Sequence, residues 1–279
     1  MDVRAVRLIA ALALAILVAP PQVSAQSASV ADVLHRVGAY VESYLTRVQS
    51  IVGVETVTVQ PIARDWSGEG LARTLVYELR LDWTPGAEAA VRRELITVNG
   101  RVPRPRDEPK CMDSAAITTE PLEFLLPENR TRYEFTDGGP ASVNGQPVTV
   151  LNYRTRVETP VKTTWDDGCG NIDPGRSRGR IWVKSGSGEV HRIDSGLIGQ
   201  VDMQVPRDQP WTDSRRNLTL ERMDSSIRYR AFRFDNPDET LLLPTSHESV
   251  TVMRNAASLR VRHQYGNYRR FVTGGRVIE

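Results

Sequence analysis

The residues of this chain that are best suited to chemistry are four histidines, which stand far apart in the sequence. None of them has a second histidine or a cysteine within four positions, and the zinc motif His-Glu-x-x-His fails because Thr251 occupies its last position. The sequence therefore predicts no metal site. The four are His35, His191, His247 and His263.

Other catalytic and cofactor motifs are also missing from the sequence. It contains no Gly-x-Ser-x-Gly elbow, no P-loop and no dinucleotide fingerprint. The loop 166–173 carries oxygen ligands that could hold calcium, but it does not have the EF-hand spacing, and a solvated loop is the simpler interpretation. We expect a protein that is not an enzyme and has no cofactor.

The N-terminus has the three parts of a secretory signal peptide. Arg4 and Arg7 precede an apolar run over residues 8–19, which is too short for a bilayer span of about 20 residues. Small residues at Val23-Ser24-Ala25 predict cleavage after Ala25. The prediction is a signal peptide over 1–25 and a single periplasmic or secreted domain over 26–279, without a transmembrane span. An uncleaved anchor is the alternative.

Two cysteines, Cys111 and Cys169, remain after the predicted cleavage. An even number of cysteines in an exported chain indicates a disulfide bond. Such a bond would contribute about 4 kcal/mol on the chain-entropy model. The alternative is two separately buried thiols.

Composition excludes several classes of protein. Of the 279 residues, 40% are hydrophobic and 25% are charged, and 36 basic side chains nearly balance 34 acidic ones. A disordered chain, a collagen-like repeat or a polybasic nucleic-acid tail would each need a strong bias. An ordinary globular domain remains.

The spacing of apolar residues predicts one long helix followed by many strands. A stripe with helical period runs from residue 33 to 48, at Val33, Leu34, Val37, Tyr40, Val41, Tyr44, Leu45 and Val48. Residues 71–83 then alternate strictly, as in a half-buried strand. Shorter alternations occur at 54–59, 132–135, 148–157, 180–183, 190–193, 201–205, 227–234, 250–253 and 259–265.

Turn signals between these segments predict antiparallel hairpins. A short helical insert is expected over 118–126, where Pro121 suits a first turn. The turn signals are Asn99-Gly100, Asp137-Gly138-Gly139, Asn144-Gly145, Ser185-Gly186-Ser187-Gly188 and Asn236-Pro237.

Arginines accumulate near the C-terminus. The last thirty-one residues contain Glu279 as their only acid. A basic face here could contact anionic lipid or an acidic envelope protein. The solvent face of ordinary strands is the alternative, and the predicted export and near-neutral charge argue against nucleic acid. The arginines are Arg254, Arg260, Arg262, Arg269, Arg270 and Arg276.

The layout resembles the outer-membrane lipoprotein-sorting (LolA-like) superfamily. The likeness rests on the signal peptide, the single long helix, the many strands and three stretches, 179–183, 188–193 and 265–271. The resemblance implies a mainly β (α+β) fold: a strongly curved antiparallel sheet or incomplete barrel whose concave face is covered by helices and can accept acyl chains. This chain differs from the carrier proper in its two cysteines, its extra length and its arginine-rich end.

A ligand site of this kind would be lined by the helix stripe and the longest alternating strand. The function expected is binding of a hydrophobic ligand: an acyl chain, a lipid or a lipidated segment. The same side chains could instead fill a core, leaving an interaction module of the envelope. The candidates are Val37, Tyr40, Val41, Tyr44, Leu75, Tyr77, Leu79, Leu81 and Trp83.

Overall fold

A computed structural model describes residues 29–48, 50–82, 90–107, 120–156, 159–166, 169–209 and 216–270. The expected signal peptide, Trp83 and Cys111 lie outside these residues. The disulfide therefore stays a prediction, as does cleavage after Ala25. Within the described part, no helix combines the length and the apolar character that crossing a membrane requires.

The described chain is one helix followed by strands, as the change of period predicts. The helices are α1 (Val30–Arg47), α2 (Glu120–Glu123) and α3 (Pro127–Arg130), with a 3-10 turn at Pro105–Asp107. The strands are β1 (Ile51–Ile62), β2 (Arg73–Asp82), β3 (Ala90–Val98), β4 (Tyr133–Val143), β5 (Gln146–Thr155), β6 (Lys162–Asp166), β7 (Cys169–Asp173), β8 (Ser177–Val183), β9 (Val190–Leu197), β10 (Val201–Gln204), β11 (Asn217–Asp235), β12 (Asp238–Arg254) and β13 (Ser258–Arg270).

Eleven strands form one antiparallel sheet in the order β3-β2-β1-β13-β12-β11-β9-β8-β5-β4, with β10 paired to β11. The path ends at β3 and β4, so the sheet is open. Strands β6 and β7 form a separate hairpin. The predicted fold class, a large antiparallel sheet with an N-terminal helix and a short helical insert, is confirmed.

Three of the five predicted turns join neighbouring strands, whereas Asn99-Gly100 only turns the chain back to a bridge between Val98 and Arg101. Asn144 and Gly145 have positive φ values of 51° and 76° and link β4 to β5, as expected of an Asn-Gly hairpin. Asp137-Gly138-Gly139 was predicted as a hairpin turn and instead lies inside β4. The pairing shifts there between Asp137 and Gly139, and Gly139 has a φ of 84°, so the glycines form a bulge.

Helix α1 packs on one face of the sheet, which we call the inner face. Ser29 caps the helix by accepting a hydrogen bond from the Asp32 amide at 3.2 Å. The helix backbone also lies close to the β8–β9 turn: a Cβ on Gly188 would be 2.4 Å from the Arg36 carbonyl oxygen. The buried stripe of α1 joins inward residues of the sheet in one apolar cluster, the helix core.

Three smaller apolar clusters complete the structure. A second cluster on the inner face comprises Val57, Val59, Leu75, Tyr77, Val98 and Val261 on β1, β2, β3 and β13. A third lies around β10 and β11 and includes side chains of the β6–β7 hairpin. The fourth is formed by Val148, Val150 and Trp182, whose positions alternate with inward residues, so it lies on the opposite, outer face.

Candidate functional site

Two histidines interrupt an apolar row that crosses the inner face from β5 to β3. Residues that face each other across neighbouring strands have Cβ atoms about 5 Å apart, so such a row is a line of contacts. All the positions of the row apart from these two histidines are branched aliphatic residues. In order, the row is Leu151, Ile181, Ile193, Ile227, His247, His263, Val57, Leu75 and Val98.

His263 belongs to a buried polar cluster between the helix core and the second apolar cluster. Its Nδ1 lies 2.7 Å from Glu55 Oε1, and neither side chain has any exposed surface. Arg93 Nε donates to Glu55 Oε2 at 2.8 Å, and the Arg93 guanidinium lies 4.2 Å from the centre of the Tyr77 ring. We call Glu55, Arg93, His247, His263 and Tyr265 the polar cluster.

Opposing effects act on the Glu55 carboxyl. Burial raises its pKa, but the hydrogen bond with His263 and the charge of Arg93 outweigh burial, so the pKa lies below its usual value. Glu55 is therefore ionised at neutral pH and forms an ion pair with Arg93. With an ionised acceptor, the N–H of His263 is at Nδ1 and donates a hydrogen bond to Glu55.

Tyr265 and His247 stack against the two sides of His263. The ring centres of His263 and Tyr265 are 6.0 Å apart, and those of His263 and His247 are 5.1 Å apart. Burial and the negative charge of Glu55 raise the pKa of Tyr265. Burial, together with the neighbouring His263, lowers the pKa of His247 to about 4, so His247 is neutral at neutral pH.

His247 has an unsatisfied ring nitrogen. Its Nδ1 is buried and, within the described part of the chain, has no hydrogen-bond partner. Buried polar atoms without a partner are uncommon in folded proteins and call for an explanation. The nitrogen has no appreciable exposed surface, so a ligand lying on the sheet does not reach it.

A row of serines lies beside the two histidines on the inner face. Ser195, Ser225 and Ser249 pair in register across β9, β11 and β12, and Gly179 on β8 continues the row. All three serines are partly exposed. We call Ser195, Ser225 and Ser249 the serine row. Because these side chains are small, the middle of the inner face is recessed relative to the aliphatic row beside it.

The ligand-lining residues predicted from the sequence divide between two clusters. Val37, Val41 and Tyr44 of α1 are buried in the helix core together with Leu79, and Tyr40 packs against that core while partly exposed. Leu75 and Tyr77 are buried in the second cluster, separated from α1 by the polar cluster. Leu81 pairs with Ile51 at the end of β2, and Trp83 is not among the described residues.

The C-terminal arginines are engaged in contacts on the sheet. Arg254 pairs with Glu221 at 2.5 Å and Arg262 with Glu248 at 3.0 Å. Arg269 lies 3.8 Å from Glu78, Arg270 pairs with Glu239, and Arg260 donates to the Trp66 carbonyl oxygen. The predicted basic face is thus largely neutralised by carboxylates. Arg276 lies outside the described residues.

The inner face is chemically suited to hydrogen bonding. No group of three or more potential metal ligands occurs in the described ranges. The Glu–His pair resembles one that orients a general base in hydrolases, but His263 has no surface that a substrate could reach. Its accessible chemistry comes from the serine row, whose three side chains are partly exposed.

Sequence reasoning missed Glu55 and Arg93, although β1 carries a signal for the first. Ile51, Gly53, Glu55, Val57 and Val59 share one parity of the strand, and four of these five positions are apolar or glycine. A charged residue at an inward position needs a buried partner. The identity of that partner depends on the register with β2, β3 and β13.

No protein-family model matches the chain, and no curated protein matches it. Among solved structures, it is similar to a DUF1329 family protein from Desulfovibrio piger, with 11% identity over 86% of this chain and 92% of that chain and a TM-score of 0.38. A putative outer membrane lipoprotein-sorting protein domain from Vibrio parahaemolyticus shows 10% identity over 85% and 93%, with a TM-score of 0.32. A LolA superfamily protein from Nitrosomonas europaea shows 11% identity over 84% and 94%, with a TM-score of 0.28.

These structures include a member of the superfamily that the sequence resembles, as expected. TM-scores this low leave the function to be argued from the chain's own residues.

Proposed function

We propose that this chain is a non-enzymatic envelope protein that binds an amphipathic or hydrophobic ligand on the inner face of its sheet. The ligand would be an acyl chain, a lipid or a lipidated segment. The serine row, flanked by apolar side chains of the inner face, is the observation that carries the proposal.

The inner face offers both kinds of contact that such a ligand needs. Small-molecule sites are mostly apolar and contain a few polar groups that fix the orientation of the ligand. Ile193 and Ile227 border the serine row on one side, and Met223, which is 38% exposed, lies two residues from Ser225 on the other. A polar ligand group would bond to the serines, and its chain would contact these apolar side chains.

The helix core limits where the ligand can lie. Val37 and Val41 are fully buried and Tyr44 is 3% exposed, so the space beneath the stripe of α1 is occupied by the protein's own side chains. The part of the predicted lining that remains open to a ligand is the edge of the helix at Tyr40. We place the ligand over the serine row rather than under α1.

The proposal includes export. A signal peptide over 1–25, cleavage after Ala25, a periplasmic or secreted location and a disulfide between Cys111 and Cys169 are parts of it that rest on the sequence. Intact-mass measurement of protein recovered from the periplasm tests all of them. A mass that retains residues 1–25, or two thiols that alkylate without reductant, contradicts them.

Native mass spectrometry of protein purified from its host without detergent tests the ligand. The test variant is Ser225→Leu with Ser249→Leu, which removes two hydroxyl groups and fills the space above the serine row with larger side chains. Ser246→Leu is the matched control, because Ser246 lies on the outer face of the same strand. We expect wild type and control to carry a bound lipid-sized mass. The fraction of protein that carries this mass should be at least about tenfold lower in the double variant.

The alternative function is an interaction module with a filled core. The complete burial of Val37 and Val41 favours it. Ligand-free wild-type protein in repeated preparations, or a double variant that retains as much ligand as the Ser246→Leu control, would replace ligand binding with this alternative.

A further inference from the structure

A set of arginines that the sequence does not group together meets on the outer face of the sheet. The members come from β5, β8, β9 and β11, which are adjacent strands. Arg154 pairs directly with Arg178, and Arg192 pairs directly with Arg228. We call the set Arg154, Arg178, Arg180, Arg192 and Arg228 the outer arginine patch.

Most of the patch is not neutralised. Arg192 is paired with Asp194 at 2.7 Å, whereas the other four arginines have no ion-pair partner within the described ranges and are exposed. Glu134 faces Arg154 in the β4–β5 ladder without an ion pair between them. Asp224, which faces Gly196 on β9, pairs with Arg222. The patch therefore has an excess of positive charge.

The arrangement costs the free protein stability. Like charges directly opposite each other in an antiparallel ladder repel, as Arg154 and Arg178 do here. At the second pair, Asp194 offsets the charge of Arg192. The C-terminal arginines on the same face are compensated instead, because Arg254 and Arg262 each form an ion pair with a carboxylate on the neighbouring strand. An anionic partner would remove the repulsion at the patch.

Trp182 holds part of the patch in place. The guanidinium of Arg192 lies 4.5 Å from the centre of the Trp182 ring, and that of Arg180 lies 5.1 Å from it. Contacts of this type restrict a long side chain against the sheet. The two guanidiniums are thus ordered before any partner arrives, which lowers the entropic cost of binding.

We propose that the outer arginine patch docks the protein on the surface of an anionic lipid bilayer. The charges form a two-dimensional array, with about 5 Å between strands and about 7 Å between alternate residues along a strand. Such an array matches the two-dimensional array of phosphates at a membrane surface better than the single line of charges on an acidic peptide. This inference is independent of the ligand on the inner face.

Vesicle flotation with the full chain, as processed by its host, tests the docking. The vesicles contain phosphatidylglycerol and phosphatidylcholine, with pure phosphatidylcholine for comparison. The test variant is Arg178→Gln, Arg180→Gln and Arg228→Gln; the control is Arg254→Gln, Arg260→Gln and Arg262→Gln, which loses the same charge. Since each basic side chain near an anionic surface contributes about fivefold, we expect binding by the test variant to be roughly a hundredfold weaker.

The control variant should bind the anionic vesicles within about threefold of wild type, and added salt should weaken wild-type binding. Circular dichroism checks that both variants are folded. Equal binding to neutral vesicles, no binding to anionic vesicles at low salt, or equal losses in the two variants would overturn the proposal. Tighter binding to soluble polyglutamate than to the vesicles would also overturn it, in favour of an acidic protein partner.

Discussion

Ion pairs lie on both faces of the sheet at strand β13, in opposite surroundings. On the inner face, His263 contacts Glu55, which is also paired with Arg93, and the exposed fractions of the Arg93 and Glu55 side chains are 12% and 0%. On the outer face, Arg262 pairs with Glu248, and their exposed fractions are 59% and 41%. Of two adjacent residues on one strand, His263 thus forms a hydrogen bond to a buried ion pair and Arg262 forms an exposed ion pair.

The two ion pairs therefore differ in how strongly the loss of one partner would destabilise the protein. An exposed pair exchanges water contacts for a weak attraction and contributes little to stability. A buried pair must recover the cost of desolvating both charges, so the loss of one partner is far more damaging than loss of the whole pair. We infer that the polar cluster fixes how β1, β3 and β13 align, while the outer pairs leave that alignment almost unaffected.

Replacing Arg93 by Met should give the largest effect. It leaves the Glu55 carboxylate buried without its counter-charge, so we expect the free energy of unfolding to fall by about 3 kcal/mol. Urea denaturation followed by circular dichroism measures this change. The double variant Glu55→Leu with Arg93→Met should recover about half of the loss, because neither charge is then buried alone. A double variant less stable than the single one would show that the pair itself is stabilising.

Acidification should have an intermediate effect through His247. Its pKa in the folded protein, about 4, lies below the ordinary value of 6.5, so the unfolded state takes up a proton first as the pH falls. Stability contributed by neutral His247 is complete above pH 6.5 and should decline by roughly 2 kcal/mol by about pH 5. Glu55, whose folded pKa is also lowered, adds a further loss only below its ordinary value of 4.5.

His247→Gln isolates the contribution of this histidine. Urea midpoints measured between pH 7 and pH 4 should fall less in the variant than in wild type, because glutamine does not titrate in this range. Parallel curves for the two proteins would assign the pH dependence to other groups.

The smallest effect should come from Arg262→Gln on the outer face. Breaking its exposed pair with Glu248 should change the free energy of unfolding by less than about 0.5 kcal/mol, and added salt should reduce even this difference. The same urea assay applies. A loss as large as that of Arg93→Met would remove the contrast between the two faces.

Much of the fold could be predicted because its signals are local. The stripe from Val33 to Val48 becomes the buried face of α1, and Asn144-Gly145 forms the expected hairpin turn. Asp137-Gly138-Gly139 was misjudged because glycines that permit a turn also permit a bulge, and only the partner strand distinguishes the two. The predicted lining residues fell into two clusters for a similar reason. Alternation of residue types predicts which side chains of β2 share a face, but it does not predict which segments pack on each end of that strand.

The site was less predictable than the fold. His247 and His263 each stand alone in the sequence, with no partner at motif spacing, yet they stack across β12 and β13. Glu55 and His263 form a hydrogen bond although 208 residues separate them. Motif searches examine nearby positions, so a cluster assembled from four strands has no such signature.

The sequence by itself determined which residues form the helix, which alternate as strands and which side of each strand is apolar, because these properties depend on periods of a few residues. Only the tertiary structure decided which inward residues became neighbours, because strand order and register bring together segments from distant parts of the chain. That choice paired Glu55 with Arg93 and His263 and aligned the serine row. It also left four of the five arginines of the outer arginine patch without an ion pair among the described residues, while Arg254, Arg262 and Arg270 gained carboxylate partners.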